Sequence, residues 1–421
     1  MDHSLRERLK RLGKLGVQKG VAHLKPAMHS VGATQADPTP LWNVELSTPL
    51  GPAYIRRTKY PLHYQHGAHK LDQVLSTAPT AFREIGEFDA RDALFLDTET
   101  TGLAGGAGTL AFLVGVGYFD VDREAAAEPL AVCPTDLSTP TSFVIDQFFL
   151  PNPAAEAGML CALDRLIEQR KILVTFNGRG FDAPLLQTRF ALARIPPALS
   201  NKTHLDLLLP SRRLWRYALP SRSLGSLENH ILSVRRDQQD IPGALIPELY
   251  RAYLQTGQTA DIERVMYHNL FDVLSMVTLA AQLAQALTEP ATAAERLSIA
   301  VGCERAGQLQ RAEAAYRTVL CADPTPAQCQ AAWRGLARCL KRQNRAAEAL
   351  RYWEQLAEQG DVEALIEMAK HYEWRAGDLS AALSACRRAL HVCQQPVVRA
   401  ALLYRASRLE NKLSRIDAGY S

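Results

Sequence analysis

The stretch "LFLDTETTGL", Leu94 to Leu103, decides the fold. Three apolar residues lead into two acids spaced two apart, Asp97 and Glu99, and the run stops at Gly102. In a strand, residues i and i+2 point to the same face, so the two carboxylates stand side by side. There they repel each other unless something positive lies between them, and a divalent cation is the natural partner.

Working outward, an α/β pattern runs from Arg91 to Leu287. "ALFLDTE" and "TLAFLVGVGYF" are apolar strands joined by the glycine-rich turn "GLAGGAG". A polar stretch from Asp120 to Pro140 reads as a loop, and "SFVIDQFFL" as a third strand. An amphipathic helix over Ala154–Glu168 follows, then the strand "KILVTF", the helix "FDAPLLQTRFALARI" and the strand "THLDLLL". The remainder to Leu287 is helical. Three strands in succession, then strands alternating with helices, is the order of a ribonuclease-H-like mixed sheet flanked by helices.

The chain has 421 residues, 47% hydrophobic and 22% charged, which predicts two or three domains of ordinary globular composition. No apolar run approaches a bilayer span, and the basic start "MDHSLRERLKRLGKLGVQKG" lacks the apolar segment of a secretory signal. Eight scattered cysteines without a C-x-x-C pair argue against a disulfide framework or a zinc ribbon. The expectation is a cytoplasmic protein with no membrane contact.

The N-terminal segment 1–85 reads as a basic, partly disordered extension. It holds 12 Lys/Arg against 6 Asp/Glu, with a short helix expected over Ser4–Leu15 and disorder at "ATQADPTP". "GPAYIRRTKYPLHYQHG" has strand character and suits a hairpin added to the domain that follows, 86–289. The third segment, 290–421, is helical and repetitive. Ala312, Tyr316 and Val319 recur as Ala349, Trp353 and Leu356, then as Ala382, Cys386 and Ala389, at spacings of 37 and 33 residues. Those spacings lie near the 34-residue tetratricopeptide period, which predicts an all-α repeat domain suited to a protein partner.

Two more acid-bearing stretches follow the first. "LVTFNGRGFDAPLL" ends a strand, turns through Asn177 and two glycines, and starts a helix near Asp182. "YHNLFDVLSMVTL" lies on a helix, where His268 and Asp272 share a face at i, i+4. Asp97, Glu99, Asp182 and Asp272 thus arrive in order at element ends.

That order resembles the DEDD 3′–5′ exonuclease superfamily. "DTETTG" is similar to its first motif and "FNGRGFD" to its second, and "HNLFD" sits where its third belongs. The chain resembles more closely the YprB-like, ribonuclease-H-like predicted exonucleases, often followed by tetratricopeptide repeats. It shares with them "DTETTGLAGGAGTLAFLVG", "RRLW" and "DIPGALIPELYRAYL". The resemblance implies hydrolysis of phosphodiester bonds in single-stranded DNA or RNA with two divalent cations, Mg²⁺ or Mn²⁺. By the family's pattern Asp97 bridges both ions, Glu99 and Asp272 complete the shell of the nucleophile-bearing ion, and Asp182 serves the other through water. The chemistry agrees, because sulfur-free carboxylate sites favour those ions and paired ions activate water and stabilise a leaving oxygen.

His268 departs from the family's spacing. Members place a water-activating His five residues before the last Asp, or a Tyr four before. Here His268 is four before Asp272 and Tyr267 five before. On a helix the i−4 residue faces its partner better, which favours His268 as the catalytic group. Tyr267 in that role, or His268 merely pairing with Asp272, stay as alternatives.

Further residues carry a functional and a structural reading together. Thr98 and Gly102 suit backbone approach to the terminal nucleotide, although a glycine also simply ends a strand. Asn177 suits substrate contact or the strand-to-helix turn. Asp206 supports the site from behind or caps the next helix, and Asp146 reads as structural. In the basic window 202–236, "RRLWRY" interleaves Arg212, Arg213 and Arg216 with Trp215 and Tyr217, a mix suited to phosphates and stacked bases or to a solvated helix face. Two rival functions remain open: a catalytically degenerate nucleic-acid-binding adaptor working through its repeats, and an endonucleolytic cut.

Overall fold

The computed structural model describes residues 40–102, 108–120, 139–237 and 240–417. The helix expected over Ser4–Leu15, "ATQADPTP" up to Thr39, and most of the glycine-rich turn and of the 120–140 loop lie outside the described residues.

Among the described residues, seven strands form one mixed sheet in the order β1-β2-β7-β6-β5-β8-β9. They are β1 (Val44–Thr48), β2 (Gly51–Pro61), β5 (Ala93–Thr100), β6 (Ala111–Asp120), β7 (Ser142–Phe149), β8 (Ile172–Thr175) and β9 (Thr203–Asp206). The short pair β3 (Gln65–His66) and β4 (His69–Lys70) stands apart. β5, β6 and β7 meander antiparallel, and β5, β8 and β9 run parallel. Parallel pairing requires crossovers, and α1 (Glu156–Glu168) and α2 (Asp182–Leu192) lie in those connections, while α3 (Leu208–Leu214) and α4 (Ile246–Thr256) follow β9.

The β1–β2 hairpin extends the sheet beyond β7. Its Arg57 pairs with buried Asp146 of β7 at 2.6 Å, and the Tyr118 hydroxyl donates to the same carboxylate at 3.1 Å. Asp146 is therefore a structural acid, neutralised where it stands. Arg56 pairs with Glu263 at 2.5 Å, tying the hairpin to α5 (Ala260–Thr288).

Apolar alternation in β5 feeds two cores. Leu94 and Leu96 pack in one with Leu160 and Leu163 of α1, and Ala93 and Phe95 in the other with Val273, Leu274 and Val277 of α5. All eight residues of β7 are buried, as expected of a strand covered on both faces. By composition α5 corrects the expectation that no run approaches a bilayer span. It contains an 18-residue window of mean hydropathy 1.5, and 67% of that window is buried within the protein. The apolarity of α5 is that of the helix lying across the sheet.

Beyond α5, seven helices run from Ala293 to Asp417 and pack sequentially around a core of their own. The three positions that recur are buried in each repeat, from Ala312, Tyr316 and Val319 to Ala382, Cys386 and Ala389, while Pro324, read as part of the first repeat, is half-buried. Half-buried Glu304 and buried Glu373 also meet cations about one repeat further on. Glu304 accepts from Arg338, 34 residues later, and Glu373 from Arg405, Arg408 and Lys412.

Candidate active site

Asp97 and Glu99 sit at the end of β5, in the middle of the sheet. The register between β5 and β6 shifts at Glu99/Thr100, a bulge of the kind that re-aims a side chain at a strand end. By alternation both acids project to the face covered by α5, and Thr98 projects to the other. Asp182 reaches the site from that other face, where the Thr98 hydroxyl donates to its Oδ1 at 2.5 Å. Thr98 is thus a holder of Asp182, a role the sequence did not suggest.

The turn that delivers Asp182 is locked by Asp206. Its carboxylate accepts from the backbone N–H of Asn177 (2.8 Å), Arg179 (3.1 Å) and Leu208 (3.0 Å). One acid therefore closes the turn after β8 and caps the start of α3 (Leu208–Leu214). Asn177 takes a left-handed φ of 71°, which asparagine tolerates better than most residues. A Cβ on Gly178 would stand 2.5 Å from the Thr175 side chain, so only glycine fits. Gly102 ends the strand without such a demand, and its carbonyl accepts from the Thr100 hydroxyl at 2.9 Å.

α5 brings the remaining groups. Ligand atoms of Glu99, His268 and Asp272 all lie within 4.8 Å of one another, a grouping able to hold a metal ion. Between His268 and Asp272 stands Asn269, whose amide N–H donates to Asp97 Oδ2 at 2.9 Å. Its own Oδ1 accepts from Gln147, which also donates to the Met266 carbonyl. α5 approaches this closely because Gly115, paired with Asp97 across the sheet, has no side chain; a Cβ there would stand 2.1 Å from Asn269 Oδ1.

His268 is held from two sides. Its Nδ1 lies 2.7 Å from Asp240 Oδ1, and its Nε2 lies 3.6 Å from Asp272 Oδ2. The Arg236 Nη1, which only donates, lies 3.1 Å from the same Nδ1, so an acceptor and a donor together hold that edge of the ring and turn Nε2 toward the acids of the site. The Tyr267 ring instead packs on Phe271 at 4.3 Å, with its hydroxyl 3.4 Å from the Asp237 N–H. Of the two, His268 is the one that faces Asp272.

Burial raises the proton affinity of all four acids, and neighbouring acid charges add to it at Asp97 and Glu99. Burial and the charges of Asp272, Glu99 and Asp182 push Asp97 well above the usual carboxylate range. Glu99 is raised by burial, Asp272 and Asp182, against a lowering by Arg236. Burial pushes Asp182 up to about 6, with the Thr98 hydrogen bond opposing. Asp272 is raised by burial, although Arg236 and His268 pull it down. Such mutual repulsion is what a multivalent cation relieves.

Arg236 was not singled out by the sequence. Its guanidinium contacts Asp272 Oδ1, and it forks onto buried Glu228 at 2.5 and 2.9 Å. Arg236, Asp240, Gly243, His268 and Asp272 line a cleft of about 660 Å³. The "RRLWRY" arginines Arg212, Arg213 and Arg216 are all exposed, with Arg213 beside Glu84 at 3.2 Å and Arg216 over the Tyr217 ring at 4.9 Å. Trp215 corrects the expectation of a stacking aromatic. It is 2% exposed, and its indole N–H donates to Glu295 at 3.1 Å, fastening α3 to the helical region.

Comparison with known proteins agrees with this architecture. Over 377 residues, 86% of each chain, the protein is 28% identical to an uncharacterized protein, YprB, of Bacillus subtilis (strain 168). Residues 94–284 match the RNase_H superfamily model, a match that points to a nuclease. By that match and by its sheet order, this segment has a ribonuclease-H-like fold.

Proposed function

We propose that the protein is a divalent-metal-dependent 3′–5′ exonuclease acting on single-stranded DNA or RNA. The observation that carries this reading is the grouping of Glu99, His268 and Asp272 within 4.8 Å, with the charges of Asp272, Glu99 and Asp182 all felt at buried Asp97. The donor set fits Mg²⁺ or Mn²⁺, being carboxylate-rich, free of sulfur and electrostatically strained without a cation. Asp97, Glu99, Asp182 and Asp272 would hold two such ions, which when bound supply an activated water and stabilise the leaving oxygen.

The chain's own residues do the rest. His268 Nε2 takes the proton of the attacking water, with Asp240 fixing the ring from behind. Asn269 sets the Asp97 carboxylate, and Thr98 sets that of Asp182. Thr98, Gly102 and Asn177 border the terminal nucleotide, and Arg212, Arg213 and Arg216 guide the strand's phosphates. Residues 290–421 act as a tetratricopeptide-like domain that recruits a protein partner, with inter-repeat ion pairs near the 34-residue period in support.

A time course on 3′- and 5′-labelled single-stranded DNA and RNA tests the proposal, with Mn²⁺, Mg²⁺ or EDTA and with Asp97→Ala beside wild type. A metal-dependent ladder that shortens from the 3′ end and vanishes in the variant is expected. Cleavage of end-blocked substrate would instead make the cut endonucleolytic. Intact substrate in every lane would favour the adaptor.

A further inference from the structure

We infer that Arg236 is the resident counter-cation of the acidic site, holding the Asp272 carboxylate and competing with a divalent ion for it. The inference rests on the metal-dependent reading above but concerns ion binding alone.

Among the groups that hold Arg236, Glu228 and Asp272 do so unequally. Toward Glu228 it makes a fork, Nε to Oε2 at 2.9 Å and Nη2 to Oε1 at 2.5 Å. The Glu228 side chain is 3% exposed and is itself fixed by the Ser275 hydroxyl at 2.7 Å. Toward Asp272 the guanidinium makes a single contact, from Nη2 to Oδ1. Its Nη1 lies 3.1 Å from His268 Nδ1 and 3.4 Å from Asp240 Oδ1, and its plane lies over the Phe271 ring at 6.0 Å.

Asp272 is also one of the three residues whose ligand atoms cluster within 4.8 Å. An ion bound there must share or take a carboxylate that the guanidinium already contacts, and it must sit close to a fixed positive charge. Glu228 is not part of that cluster, so Arg236 keeps its fork when Asp272 lets go. The arrangement neutralises the acids in the absence of an ion, and it weakens ion binding for the same reason. A guanidinium that merely braced Asp272 for the ion would have the opposite effect, strengthening binding.

The test is a calorimetric titration of Mn²⁺ into the full-length protein without nucleic acid. Wild type is compared with Arg236→Gln, the double variant Glu228→Gln/Arg236→Gln, and Asp97→Asn. The double variant leaves no buried Glu228 charge unpaired and conserves net charge, so it decides alone if Arg236→Gln fails to fold. Both Arg236 variants are expected to bind Mn²⁺ about tenfold more tightly, the scale of one lost charge-assisted hydrogen bond. Equal or weaker binding overturns the inference. So does a gain confined to the single variant, which would trace the effect to net charge. If wild type binds Mn²⁺ in an Asp97-dependent way and the Arg236 variants match it, only this inference fails. If no protein takes up Mn²⁺, the metal-dependent reading fails with it.

Discussion

His268 Nδ1 stands 2.7 Å from Asp240 Oδ1 while its Nε2 faces Asp272 at 3.6 Å, so one acid holds the ring and aims it at another. Removing the ring removes the base; removing Asp240 leaves the ring held at Nδ1 by Arg236 alone. His268→Gln is expected to lower kcat by roughly 10²–10⁴-fold, the range for a lost general base. Asp240→Asn is expected to lower kcat by a smaller factor with KM little changed. Single-turnover rates on a labelled oligonucleotide check both. A rate for Asp240→Asn within twofold of wild type would remove Asp240 from the mechanism.

The contact between Gly115 and Asn269 gives a second prediction, one that joins stability to activity. Gly115→Ala puts a methyl where Asn269 Oδ1 lies, 2.1 Å from the new carbon. Either α5 shifts off the sheet or Asn269 turns away from Asp97. Overpacking of this kind costs about 1–3 kcal/mol, which lowers Tm by several degrees. Activity falls as well, because Asp97 loses its amide partner. An unchanged Tm by calorimetry would mean that α5 does not lie as close as the glycine allows.

How much of this was legible in the sequence depends on periodicity. Asp97 and Glu99 were readable because strand spacing puts i and i+2 on one face, and His268 and Asp272 because helix spacing does the same for i and i+4. Asn269 carried a usable signal, since it lies three residues before Asp272 on the same face. Gly115 and Gly117 carried another, because alternate glycines in an apolar strand mark a close approach from above. Arg236 and Asp240 were read only as the last residue of the basic window and the first of "DIPGALIPELYRAYL", with no sign of the site. They lie on irregular backbone between helices, where no period links a residue to a face. Trp215 misled for a related reason: composition cannot tell an aromatic on a binding surface from one buried at a junction.

A buried chain behind the site makes the last prediction, on pH and stability. His66 is 3% exposed, with Nε2 2.8 Å from the Ser275 hydroxyl that in turn bonds Glu228. Burial pushes its imidazole down to about 4, with Glu228 opposing and Arg236 assisting. In the unfolded chain a histidine titrates near 6.5. Between those values the unfolded chain binds a proton that the folded protein refuses, so stability falls as pH falls through that window. The full loss is about 3 kcal/mol, at 1.36 kcal/mol per pH unit. The raised acids act with the opposite sign. With Asp182 up to about 6, the folded protein binds the extra protons and gains stability as pH falls toward 4. The difference between wild type and His66→Gln therefore isolates the histidine. Urea unfolding at pH 7 and pH 4.5 should show wild type losing about 2–3 kcal/mol relative to the variant. A difference that stays flat across that range would mean that His66 takes up its proton as readily when folded as when unfolded.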